Sequence, residues 1–152
     1  MILLVQITLK GETIMRILVV EGDDYKRKSL ECILEKENVE FIFIKAIIPA
    51  LRYIHDNSND IEGIILDLDL PRYDKYNSWK TIIHMGGLDI LEEMSRLELY
   101  IPILINSYEA LTVQYDEHLV DTYNIKCETS PLMPNYAESI RSFISSIEKG
   151  EF

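Results

Sequence analysis

From Arg16 onward, short apolar runs alternate with longer amphipathic stretches. This alternation predicts an α/β domain on a mainly parallel sheet, because parallel strands need a crossover element between them. Five repeats of the pattern can be read. The first joins a strand at Ile17–Val20 to a helix from about Asp24 to Glu37, along which Leu30, Ile33, Leu34 and Glu37 recur at helical spacing. The second joins Glu40–Ile44 to a helix carrying Ala46, Ala50, Leu51 and Ile54. Gly63–Leu66 is a continuous apolar run, as expected of a central strand covered on both faces.

After Pro71 the pattern breaks. Residues Arg72 to Met85 mix aromatic, charged and polar types, so an insertion is expected at about 72–86. Gly86-Gly87 then opens a helix with Leu88, Leu91, Met94 and Leu97 on one side. A fourth strand is expected at Ile101–Ile105, a helix around Ala110–Val120 and a fifth strand within Asn124–Thr129. The last helix places Tyr136, Ile140, Phe143, Ile144 and Ile147 on one stripe after an Asn135…Glu138 start resembling a capping box, and Gly150 ends it. Residues 1–15 stand apart. Ile2–Leu9 reads as a strand, so this leader could add an edge strand or mediate self-association into a homodimer. Met15 leaves open a second reading, in which the domain proper begins there.

The chain has 152 residues, the size of one domain, here 16–149. Its 26 Asp and Glu outweigh 15 Lys and Arg, giving a formal charge of -11. Nucleic acid and anionic membranes are therefore disfavoured as partners, since both are bound by clustered cations and the sole short cluster is Lys26-Arg27-Lys28. No apolar run approaches the ~20 residues of a membrane helix. No basic, cleavable leader precedes the domain, and Cys32 and Cys127 form no disulfide framework, so a cytoplasmic location is expected. His55, His84 and His118 lack metal-ligand spacing.

In such a sheet, ligands sit at the carboxyl ends of the strands. The residues there are Glu21-Gly22-Asp23-Asp24, Asp67-Leu68-Asp69-Leu70-Pro71 and Asn106-Ser107. Clustered carboxylates repel unless a cation or proton relieves them, and that favours a hard divalent ion such as Mg²⁺.

Four stretches carry a family resemblance. Ile17-Leu18-Val19-Val20-Glu21-Gly22-Asp23 resembles the opening strand and acidic pocket of the receiver domains of two-component response regulators, and Ile64-Ile65-Leu66-Asp67-Leu68-Asp69-Leu70-Pro71 resembles their phosphoacceptor strand. Gly87-Leu88-Asp89-Ile90-Leu91 and Ile101-Pro102-Ile103-Leu104-Ile105-Asn106-Ser107 match the third helix and the fourth strand with its terminal hydroxyl. The resemblance implies a CheY-like, flavodoxin-like doubly wound sheet of five parallel strands, order 2-1-3-4-5, with helices on both faces. It implies a signalling module rather than an enzyme, with a histidine kinase or another signalling protein as partner. Asp67 would be the phosphoacceptor and Ser107 the switch hydroxyl. Glu21, Asp23, Asp67 and the backbone carbonyl of Asp69 would hold Mg²⁺.

The chain departs from that family's pattern at two positions. Gly22 stands where a second metal-contacting acid is usual, leaving Asp23 to turn in. Ser130-Pro131 stands where Lys-Pro is usual, with Lys126 as the nearby substitute; Cys127 or Tyr123 then takes the place of the aromatic switch residue. A receiver with these changes could also be a degenerate one that signals by protein contact alone. The insertion, with Tyr73, Tyr76 and Trp79, reads either as a lid or docking loop or as a surface excursion packed back on the fold. An alternative from another class is a haloacid-dehalogenase-like phosphatase, with Asp67 as nucleophile and Asp69 as general acid.

Overall fold

A computed structural model describes residues 3–5, 14–73, 82–83, 85–108, 120 and 122–152. In chain order the strands are β1 (Leu3–Val5), β2 (Met15–Val20), β3 (Val39–Ile44), β4 (Gly63–Leu66), β5 (Leu70–Pro71), β6 (Ile82–Ile83), β7 (Ile103–Asn106) and β8 (Ile125–Thr129). The helices are α1 (Asp24–Leu34), α2 (Ile47–Asn57), α3 (Gly87–Arg96) and, last of those described, α4 (Tyr136–Glu148). The helix expected around Ala110–Val120, apart from Val120, and Tyr76, Trp79, His84 and His118 lie outside the described residues.

Six strands form one sheet in the order β1-β3-β2-β4-β7-β8. The five from β3 to β8 are all parallel, which is the order 2-1-3-4-5 expected of the fold. β1 pairs antiparallel with β3, Leu4 opposite Ile42, and so extends one edge. β5 and β6 make a separate antiparallel pair.

Alternation along the central strands sends side chains to two cores. Ile17, Val19, Phe41, Phe43, Ile65 and Leu104 meet Leu30 and Leu34 of α1 and Ile140, Phe143 and Ile144 of α4. Leu18, Val20, Ile42, Ile44, Ile64, Leu66, Ile103 and Ile105 meet Ala50 and Ile54 of α2 and Ile90, Leu91 and Met94 of α3. Both faces are covered, which is why these strands read as unbroken apolar runs.

The structure moves several expected boundaries. α1 ends at Leu34 rather than Glu37, because Lys36 and Glu37 donate to Ile33 and Leu34 and so tighten the last turn. β7 begins at Ile103 because Pro102 has no N–H to give a ladder. The buried face of α3 includes Ile90, while Leu97 falls at the C-cap, just before Glu98 takes a positive φ of 54°. Asn135 precedes α4 but makes no side-chain cap. Gly150, at φ 65°, follows the end of α4 as expected.

Candidate functional site

The register of the parallel strands fixes what meets at their carboxyl ends. Val20 is level with Leu66, and Leu66 with Ile105. The ladder continues one step through the Asp67 N–H to the Val20 carbonyl at 2.9 Å and the Ser107 N–H to the Thr129 carbonyl at 3.2 Å. Glu21, Asp67 and Asn106 therefore leave the sheet side by side, with Ser107 one residue further. Glu21, Asp67, Asn106 and Ser107 are all buried.

The chain then turns sharply into α1. Asp23 is the N-cap, and its Oδ1 accepts the Lys26 N–H at 2.9 Å. This is the ordinary work of an Asp at a helix start. Its own N–H donates to Glu21 Oε1 at 2.9 Å, which folds the turn back over Glu21.

Winding α1 from this cap brings Lys26 onto the buried stripe with Leu30 and Leu34. The Lys26 side chain is 3% exposed. Its ammonium donates to Asp67 Oδ2 at 2.7 Å and lies 3.3 Å from Glu21 Oε1. The Tyr108 ring centroid is 4.9 Å from Nζ and covers the charge from another side. A positive charge thus sits between two carboxylates at the base of the site.

The titration of these groups follows from that arrangement. Burial, together with the neighbouring Asp67 charge, pushes the Glu21 carboxyl up to about 9 against the opposing pull of Lys26. Burial alone would lower the Lys26 ammonium, but the Glu21 and Asp67 carboxylates outweigh it and hold the ammonium above its ordinary value. Glu21 Oε2 is buried with no donor of its own. A proton on that carboxyl gives it a hydrogen bond to offer Asp67 and leaves the three groups electrically balanced.

The other expected site residues are placed differently. The Asp69 carboxylate accepts the Met85 N–H at 2.9 Å. Met85 has a φ of 56°, and the pair ties the insertion's end to the strand's end. Asp23 caps α1 and does not replace the acid that Gly22 lacks. Among the described residues no group of three or more His, Cys, Asp or Glu side chains is arranged to hold a metal ion. Of the expected ligands, the Glu21 and Asp67 carboxylates thus meet at the Lys26 ammonium, while the Asp23 carboxylate caps α1; Asp69 was expected through its backbone carbonyl and not its carboxylate.

Packing explains Gly22. A Cβ there would stand 3.0 Å from Pro71 Cδ and 3.2 Å from the Lys45 carbonyl, so β5 lies where an acidic side chain would begin. Gly87 is equally constrained, since a Cβ would come within 2.5 Å of the Asp67 carbonyl. Its absence lets α3 start hard against the end of β4, where the Gly87 N–H donates to the Leu68 carbonyl at 2.8 Å.

Ser130 follows β8 and holds the next turn, its Oγ accepting the Leu132 N–H at 3.3 Å and its carbonyl the Met133 N–H at 2.9 Å. Lys126 does not substitute for a cation here. It is exposed near the opposite end of β8, about 10 Å along the strand from Thr129, and its Nζ lies 5.7 Å from the Phe152 ring centroid. Cys127 is half-buried, and burial pushes its thiol up to about 12.

No protein-family model and no curated protein matches the chain. Solved structures do. The signal receiver domain of a Luxo repressor protein from Vibrio parahaemolyticus superposes with a TM-score of 0.69 at 17% identity, over 90% of this chain and 92% of that one. The fold is that of response regulator receiver domains. A CheY-like receiver domain protein from Methanospirillum hungatei gives 0.66 at 19% identity, over 91% and 99% of the two chains. The phosphorylated cyanobacterial phytochrome response regulator RcpA gives 0.62 at 18%, over 88% and 93%. These neighbours lend no support to the phosphatase alternative.

The Mg²⁺ associated with this fold does not fit the residues present. Mg²⁺ takes oxygen ligands at about 2.0–2.1 Å in a near-ideal octahedron. Here the Lys26 ammonium already donates to Asp67 Oδ2 and lies 3.3 Å from Glu21 Oε1, on the oxygens a metal would need. Lys26 is the site residue that pattern reading passed over. The signal was present, since Lys26, Leu30 and Leu34 share one stripe and a lysine on an apolar stripe needs a buried partner.

Proposed function

We propose that the chain is a receiver-fold signalling module that works by contact with another signalling protein and does not cycle through a phosphorylated aspartate. Receiver domains are signalling modules that meet kinases and other signalling proteins, and this fold supports the same class of role here. One observation carries the finer reading. The Asp67 carboxylate, which the sequence resemblance matches to the phosphoacceptor, is 2% exposed and held at 2.7 Å by Lys26.

A nucleophilic carboxylate has to present a free oxygen in line with the phosphodonor, with cations placed to take up the developing charge. Asp67 instead spends one oxygen on Lys26, and its other accepts the Asp69 N–H at 3.4 Å. Ser130 brings no charge to the far side. In this reading Asp67 anchors the end of β4 to the start of α1, and Ser107 is a buried strand-end hydroxyl.

The test is exposure to acetyl phosphate with Mg²⁺, followed by intact-mass measurement, and to beryllofluoride with Mg²⁺, followed by amide spectra. The mass and the spectra stay unchanged. A phosphoryl adduct that Asp67→Asn abolishes would restore the phosphoacceptor role.

A further inference from the structure

The geometry points to Lys26 as a built-in cation that occupies the acidic pocket in place of a divalent metal, so that metal binding is recovered by removing one side chain. The inference deepens the contact-only reading above and rests on it for the fold's family context.

The carboxyl ends of β2 and β4 bring Glu21 and Asp67 together out of water, and two such groups cannot both stay charged without a counter-charge. A divalent ion is one solution. The ammonium of Lys26 is another, and it is the one the chain supplies, at 2.7 Å from Asp67 and 3.3 Å from Glu21. Three further features agree with a site rebuilt around a fixed cation. Gly22 removes an acid that a single positive charge could not balance, and Pro71 fills the space it leaves. The Asp23 carboxylate is committed to the Lys26 N–H, so the same short turn that starts α1 also aims Lys26 inward. Tyr108 lays its ring over the ammonium, a contact suited to a fixed cation.

A metal and this ammonium compete for the same oxygens. Leaving the pocket would cost Lys26 both carboxylate contacts and the Tyr108 ring at once. The pocket is thus set in one electrostatic state by covalent means and does not follow the concentration of a diffusible ion.

The experiment is Mn²⁺ binding by the full chain, read from water-proton relaxation and from the melting temperature, compared with Lys26→Met. The wild type shows no saturable binding and no shift of its melting temperature. Lys26→Met gains saturable Mn²⁺ binding that Mg²⁺ competes away, at least tenfold tighter than any wild-type signal, and Lys26→Met/Asp67→Asn loses it again. Saturable binding by the wild type, or none by Lys26→Met, would overturn the inference. Should Lys26→Met fail to fold alone, recovery of its fold on adding Mn²⁺ or on adding Asp67→Asn supports a charge-balancing role. Failure of both rescues shows that Lys26 acts by packing and overturns it. A wild-type chain that accepts a phosphoryl group on Asp67 without binding Mn²⁺ would sink the contact-only reading and leave Lys26 as the resident cation.

Discussion

Lys26 and Asp67, 41 residues apart in sequence, are joined by a 2.7 Å ion pair inside the protein. The pair ties the first turn of α1 to the end of the central strand β4. Removing one member leaves the other as a buried charge with poorer compensation, which typically costs about 3–5 kcal/mol. Asp67→Ala is therefore expected to lower the unfolding free energy by roughly that amount, and Lys26→Met/Asp67→Asn by less than either single loss summed. Urea unfolding of the singles and the double gives the coupling directly.

Stability should fall as pH rises through neutrality. Glu21 is raised to about 9 in the folded protein, while unfolded it titrates near its ordinary value of 4.5. Between those two values the folded state holds a proton that the unfolded state has lost, so each step up in pH favours unfolding. The contribution is complete below the unfolded value and is gone once pH passes the folded one. Lys26, also raised, adds a loss of the same sign at still higher pH. Urea midpoints between pH 5 and 9 are expected to decline in the wild type and to flatten in Glu21→Gln.

Gly22 answers to Pro71. Gly22→Ala places a Cβ 3.0 Å from Pro71 Cδ and 3.2 Å from the Lys45 carbonyl, a backbone atom that cannot swing aside. The expected loss is about 1–3 kcal/mol, the usual cost of forcing extra volume into a packed site. Gly22→Asp loses at least as much and, with Lys26 in place, gains no Mn²⁺ binding. Thermal unfolding with and without Mn²⁺ checks both points.

The Asp23 carboxylate is a cap, so Asp23→Ala should cost about 0.5–2 kcal/mol and loosen the first turn of α1. Asp23→Ser, which keeps an acceptor for the Lys26 N–H, restores most of that loss. Hydrogen exchange at the Lys26 amide separates the two variants.

The fold was readable because its five parallel strands are buried on both faces and stand out as apolar runs such as Ile64-Ile65-Leu66, bounded by amphipathic helices. Element ends were less readable. Asn135 has the right chemistry for a cap but makes no side-chain bond, and the end of α1 depends on two short-range bonds at Lys36 and Glu37. In the site, strand-end position located Glu21, Asp67 and Ser107. What position could not tell was where each side chain points. Asp23 and Asp69 carry the same side chain as Asp67, yet a nearby backbone N–H claims each of them. Lys26 looked like part of a surface basic run with Arg27 and Lys28, and only its phase with Leu30 and Leu34 marks it as internal.

The most direct measurement is ¹⁵N-edited NMR of the lysine side-chain ammonium groups, with and without Mg²⁺. The account predicts one ammonium protected from solvent exchange, absent in Lys26→Met, shifted in Asp67→Asn and unmoved by Mg²⁺. A spectrum with no protected lysine ammonium, or one in which Mg²⁺ displaces it, would contradict the claim that Lys26 is the cation of this site.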